Sequence, residues 1–133
     1  SPTPAPSPQH EDATDALIDW AAAMKTVGGD RELLVELAET FLQACPGFLN
    51  DIQQAIQTGD APLLQRAAHL LKGTFRTLGV THPADIAEQL ELLGKSNDLE
   101  HATDLLASLK TATDSVKTLL NDFIQENATA QSR

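Results

Sequence analysis

From Ala102 to Phe123 the apolar residues Ala102, Leu105, Leu109, Ala112, Val116, Leu119 and Phe123 recur at alternating spacings of three and four. A strand would scatter such a set over both faces of a sheet, because its side chains alternate with a period of two. On a helix the same set merges into one apolar stripe, the seam of a helical bundle. No segment of the chain alternates as a strand should. The abundance of Leu and Ala, with aromatics at 4% and no Tyr, favours helix for the same reason.

Glycine, proline and capping residues divide the rest. Residues 1–13, SPTPAPSPQHEDA, hold Pro2, Pro4, Pro6 and Pro8 and read as an extended, solvated tether. The bundle is expected over residues 14–127, with 128–133 as a frayed tail. A short helix is expected over about 15–26, capped by Thr14 and closed by Gly28-Gly29. The next begins after Asp30 and carries Leu33, Leu34, Leu37, Phe41 and Leu42 on one side. Pro46 is expected to kink or split it before the pattern resumes with Phe48, Leu49, Ile52 and Ile56.

Gly59 ends that helix and Asp60 caps a third, with Pro62 tolerated in its first turn and Gly79 at its close. A fourth starts near Pro83, buries Ile86, Ala87, Leu90 and Leu93, and stops before Gly94. Asp98 is expected to cap the last and longest. The expected fold is therefore all-α, a four-helix up-down bundle with a short additional N-terminal helix. A chain of 133 residues is long enough for one such core.

Several function classes fall away on charge and spacing. A formal net charge of −10 opposes binding to nucleic acid, whose phosphates repel an acidic surface. No run approaches the roughly 18 apolar residues of a membrane span, and no signal segment opens the chain, so no direct membrane contact is expected. The single Cys45 has no partner for a disulfide, which suits a reducing, cytoplasmic setting. His10, His82 and His101 lack metal-ligand spacing, so no metal site and no cofactor are expected. No glycine-rich phosphate loop is present, and an enzyme with its own kinase site is not expected. The start at Ser1, without methionine, reads as a piece of something longer.

The stretch from Asp60 to Gly79, DAPLLQRAAHLLKGTFRTLG, is the informative one. On a helical wheel centred on Leu71, the residues Leu63, Leu64, Ala67, Ala68, Phe75 and Leu78 gather on one side. His69 falls roughly 160° from that centre and faces water. Gln65, Arg66, Lys72, Gly73 and Arg76 share its side. Arg66, Lys72 and Arg76 form a cationic cluster in a segment without an acidic residue between Asp60 and Asp85. Lys72 lies one turn beyond His69, within reach of an anion on the imidazole. Gly73 costs a helix interior about 1 kcal/mol relative to alanine, and on this face it clears space for a partner. Neutral imidazole is available near pH 7, and one ring nitrogen can attack phosphorus while the other keeps its proton. A lone exposed histidine is usually an ordinary surface residue. Here face, cationic cluster and mid-helix glycine coincide.

His69-Leu-Leu-Lys72-Gly73, followed by Leu78-Gly79, resembles the phosphoacceptor signature of histidine phosphotransfer (HPt) domains. Gly28-Gly29-Asp30, Leu33-Leu34, Phe41-Leu42, Pro46, Gly59-Asp60, Ala87 and Leu90-Glu91 are similar to the family's layout, over about residues 15–126. Thr74, Phe75 and Arg76 are bulkier than the family's usual small residues, and Val80 replaces its usual final alanine. The resemblance implies that His69 accepts the phosphoryl group, Lys72 stabilises it, and Gly73 admits a response-regulator receiver domain. Gln65, Arg66 and Arg76 would lie on the docking face, and either Glu91 or Gln89 would stand beside the phosphoryl group. The implied function is a two-component phosphorelay intermediate between receiver aspartates, with any Mg2+ on the partner receiver. The Pro-rich tether suits the terminal domain of a hybrid sensor kinase, monomeric when isolated and tethered to a membrane-bound sensor. The competing reading is a helical docking module for a receiver-like partner that is never phosphorylated.

Overall fold

The computed structural model describes residues 17–131, with side chains described through residue 128. The expected tether at 1–13 and the expected cap at Thr14 lie outside these residues. Five helices follow one another among the described residues: α1 (Trp20–Thr26), α2 (Arg31–Thr58), α3 (Ala61–Thr77), α4 (His82–Lys95) and α5 (Ala102–Gln131). Aspartates open the first three. Asp19, Asp30 and Asp60 accept from the amides of Ala22, Leu33 and Leu63 and satisfy N–H groups that the helix itself leaves unpaired. Gly59 ends α2 in the left-handed conformation, with φ of 72°.

The four longer helices form a ring: α3 packs on α2 and α4, and α5 closes it by packing on α2 and α4. Its interior is filled by Leu34, Phe41, Ile52, Leu64, Leu71, Phe75, Leu90, Leu109, Val116 and Leu120. The rings of Phe41 and Phe75 meet at 5.4 Å between α2 and α3. At 28 and 30 residues, α2 and α5 are far longer than α3 and α4, at 17 and 14. With a rise of about 1.5 Å per residue they overrun the shorter pair by several turns. The short α1 covers part of that overhang, where Trp20 stacks on Phe123 at 4.9 Å. No described helix is long and apolar enough to cross a membrane.

Five details depart from the sequence reading. The first described helix begins at Trp20, with Asp19 as its cap. Residues 17–19 run instead alongside the α3–α4 turn, where Ile18 bridges Val80 and the Asp19 amide donates to the Gly79 carbonyl at 2.6 Å. A Cβ on Gly79 would collide with the Asp19 carbonyl oxygen, and its φ of 74° already favours glycine. Second, Pro46 does not split α2, which stays helical from Arg31 to Thr58. Phe41 and Cys45 before it, and Ile52 and Ala55 after it, are all buried and hold both halves to one core. Tertiary packing overrides the lost hydrogen bond.

Third, α4 does not stop before Gly94 but runs through it to Lys95. A Cβ there would stand 2.7 Å from the Gln65 amide nitrogen and 3.0 Å from the Ala61 carbonyl oxygen. Gly94 marks close helix contact, not a helix end. Fourth, Asp98 does not cap α5, which begins at Ala102; its carboxylate pairs with His101 Nδ1 at 3.1 Å. At the far end α5 continues to Gln131, past the expected limit at 127. Fifth, the buried seam of α5 includes Leu106 and Leu120, while Leu105 and Leu119 are partly covered. Ala102, Leu106, Leu109, Thr113, Val116, Leu120, Phe123 and Asn127 are buried, a heptad stripe that includes two polar side chains.

Candidate functional site

The wheel drawn from sequence describes α3 well. Leu64, Ala67, Ala68, Leu71, Phe75 and Leu78 are buried, and Leu63 is partly so. The side chain of His69 is 63% exposed. Gly73 is exposed, and a Cβ built on it would meet nothing within 4 Å, so no internal contact requires glycine there. Leu70, beside the histidine, is 57% exposed. Its apolar side chain adds a greasy edge to a polar face, which the sequence reading did not single out.

The cationic cluster is less isolated than the sequence suggests. α4 lies antiparallel to α3 and brings two carboxylates across the seam. Arg76 donates to Glu88 at 2.6 Å, and Lys72 donates to Glu91 at 2.6 Å. Arg66 is exposed, while Gln65 is half-buried. The patch around His69 therefore consists of paired charges with Arg66 and Lys95 at its margin, not a ring of bare cations. Residues on a second helix supply the correction, because α3 itself carries no acid beyond its cap.

Glu91 is the centre of this arrangement. Its side chain is only 7% exposed, yet it keeps polar partners on both oxygens. Oε1 accepts from Lys72 Nζ at 2.6 Å, and Oε2 lies 2.9 Å from His69 Nδ1. Lys95 Nζ stands 4.0 Å from Oε2, at the edge of ion-pair range. Burial pushes the carboxyl group upward, but hydrogen bonds from Lys72 and His69 and their charges outweigh it. The net result is a group held below the ordinary glutamate range and ionised at neutral pH. An ionised carboxylate can only accept hydrogen bonds. Nδ1 must then carry a proton, and in the neutral ring Nε2 holds the lone pair on the far side. Gln89, the other candidate, is exposed and two residues away, roughly 200° around α4.

A shallow depression of about 350 Å³ opens over these groups, lined by Gln65, Arg66, His69, Leu70, Glu91 and Lys95. Its walls combine apolar stems with charged tips. Elsewhere the candidates are quieter. Cys45 is fully buried, and burial raises its thiol, which leaves it unreactive at neutral pH. No group of three or more His, Cys, Asp or Glu side chains among the described residues is placed to hold a metal ion.

Sequence reasoning located His69, Lys72 and Gly73 on one face, but it left Glu91 undecided and missed Glu88 and Lys95. Their contribution depends on the register between α3 and α4, which no periodicity within either helix reveals. Gly94 was the available clue. A glycine inside a helix and on its buried side signals close approach of a neighbour, here against Gln65, one turn before the histidine.

A family model described as Hpt domain matches residues 36–126, well over half of the chain. A solved structure, the histidine-containing phosphotransfer protein B (HptB) from Pseudomonas aeruginosa PAO1, is similar to this one with a TM-score of 0.78 and 23% sequence identity. The match covers 83% of this chain and 96% of that one, and at this identity it speaks for the fold. No curated protein sequence gives a significant match.

Proposed function

Because this chain belongs to the Hpt domain family, we propose that it is the histidine-bearing intermediate of a two-component phosphorelay, carrying the phosphoryl group on Nε2 of His69. Hpt domains serve histidine phosphotransfer and work with response-regulator receiver domains. In this reading the donor is an aspartyl phosphate on one receiver and the acceptor is an aspartate on another. The Mg2+ that such carboxylates hold belongs to the receiver.

The observation that carries the reading is the hydrogen bond between His69 Nδ1 and Glu91. With the proton held at Nδ1, the Nε2 lone pair forms the new N–P bond. The P–O bond to the receiver's aspartate breaks, and the carboxylate leaves with its electron pair. The ring that results is a phosphorylated imidazolium, positively charged and still protonated at Nδ1. The Glu91 carboxylate faces that proton and stabilises the charge as it develops. Return transfer reverses each change, and the ring departs from phosphorus as a neutral imidazole.

Lys72 has two tasks in this scheme. It keeps Glu91 ionised through its 2.6 Å hydrogen bond, and it adds positive charge one turn from the histidine. Gly73 leaves the approach to Nε2 open, and Leu70, Gln65, Arg66 and Arg76 offer a receiver its contacts. Positioning and charge, rather than a kinase site of its own, are what the domain contributes. The reading places the module in the cytoplasm, where Cys45 stays reduced.

The test is direct. The domain is incubated with a phosphorylated receiver, and acid-labile, base-stable label is sought on it. Label is expected on the native chain and absent from His69→Gln. Label that persists in His69→Gln overturns the assignment of the acceptor. A native chain that binds the receiver yet takes no label is a docking module instead.

A further inference from the structure

The positive charges around His69 are not equally available to a phosphoryl group. Lys72 is only 16% exposed and tied to Glu91 Oε1 at 2.6 Å, while Arg76 is matched by Glu88 at the same distance. A phosphoryl group brings about two negative charges near neutral pH. It would arrive beside a third, the ionised Glu91, whose two oxygens are already engaged. Some cation must offset that charge without abandoning the buried carboxylate.

We propose that Lys95 is the phosphoryl-contacting cation of this domain, swinging from the edge of Glu91 onto the phosphoryl oxygens once His69 is loaded. The inference rests on the phosphohistidine reading above and assigns a contact within it. Three observations support it. The Lys95 ammonium lies 4.0 Å from the same Oε2 that His69 Nδ1 approaches at 2.9 Å, so it stands no farther from the ring than those two lengths combined. Its side chain is 53% exposed and lines the same depression as the imidazole, so its four-carbon stem is free to redirect the charge.

The third observation concerns its root. Gly94 brings the α4 backbone against α3 at Ala61 and Gln65, so close that a Cβ would stand 2.7 Å from the Gln65 nitrogen. That contact fixes the last turn of α4 one helical turn from His69. A lysine issuing from the next residue starts within reach of the imidazole rather than drifting in from the surface. Lys72 and Lys95 thus divide the work: the first anchors Glu91, and the second meets the ligand. Arg66 borders the same depression from α3.

The experiment loads the native domain, Lys95→Gln, Lys95→Arg and His69→Gln from a radiolabelled phosphoreceiver. It follows the share of label on each domain at equilibrium and the rate at which label is then lost. Lys95→Gln is expected to hold a share about three- to tenfold smaller and to lose its salt sensitivity, while Lys95→Arg restores both. The melting temperature should not move, because the side chain is exposed and leaves no buried partner stranded. A Lys95→Gln domain that matches the native share, decay rate and salt response overturns the proposal, provided that His69→Gln stays unlabelled. A native domain that takes no label, or label on His69→Gln, overturns the phosphohistidine reading itself and this contact with it.

Discussion

Nδ1 of His69 lies 2.9 Å from Oε2 of Glu91, so an exposed ring on one helix is governed by a buried carboxylate on the next. The pair spans 22 positions of sequence and one helix–helix seam. It decides which ring nitrogen keeps the proton and which one can react.

Glu91→Gln keeps the shape of this contact and removes its charge. A charge-assisted hydrogen bond exceeds a neutral one by about 1–2 kcal/mol. The phosphorylated ring, being cationic, should therefore lose about tenfold in its equilibrium share against a receiver. Partition of label between the two proteins measures this. An unchanged partition would mean that Glu91 acts by shape alone.

The same carboxylate links stability to pH. Its folded-state value lies below the ordinary 4.5 of glutamate, because the hydrogen bonds from Lys72 and His69 outweigh burial. A group depressed in this way stabilises the fold above its unfolded value, and that contribution is lost as pH falls through the folded value. Denaturant melts taken at steps downward from about pH 6 should show the native chain weakening below 4.5. Glu91→Gln should lack that part of the decline. Parallel acid curves for the two proteins would contradict the linkage.

Gly73→Ala should separate stability from activity. Nothing lies within 4 Å of the added methyl group, and alanine is the better helix former by about 1 kcal/mol. The substituted domain should melt a few degrees higher and yet exchange phosphoryl groups more slowly, since the methyl group stands on the approach to His69. Thermal melting and single-turnover transfer, measured side by side, check both signs. Faster or unchanged transfer would remove the steric argument.

Gly94→Ala should do the reverse in structure. Its methyl group meets backbone atoms of Gln65 and Ala61, which cannot rotate aside. Overpacking of this kind costs about 1–3 kcal/mol. α4 should shift away from α3, and the His69–Glu91 hydrogen bond should lengthen. Nuclear magnetic resonance of the imidazole nitrogens would report a mixture of tautomers where the native ring holds one.

The helices were legible in sequence because their local signals agree: Asp30, Asp60, Gly59 and Gly79 stand where caps and turns belong. The exposure of His69 was legible because the wheel of α3 has one clean apolar face. The wheel of α5 has no such single solution. Leu105 and Leu106, and again Leu119 and Leu120, offer two adjacent leucines for one seam position, and only the neighbours decide between them. Thr113 and Asn127 join the seam although their side chains are polar, which no apolar count would propose. Pro46 carries a strong local signal to break, and burial on both sides of it prevails.

The partner of His69 was illegible for a different reason. Periodicity reads one helix at a time, whereas Glu91, Glu88 and Lys95 matter only through the offset between two. That offset is set where Gly94 meets Gln65, at a single close approach of two backbones.

The turn between α3 and α4 is short, and the His69 ring, the Glu91 carboxylate it meets and the two lysines around that carboxylate all lie between Asp60 and Lys95. The proposed function therefore draws its reacting groups from one helical hairpin, while the two long rods behind it complete the core on which that hairpin packs. The outer faces of the rods touch none of these four side chains, so their decoration can vary while the hairpin's polar contacts stay as they are.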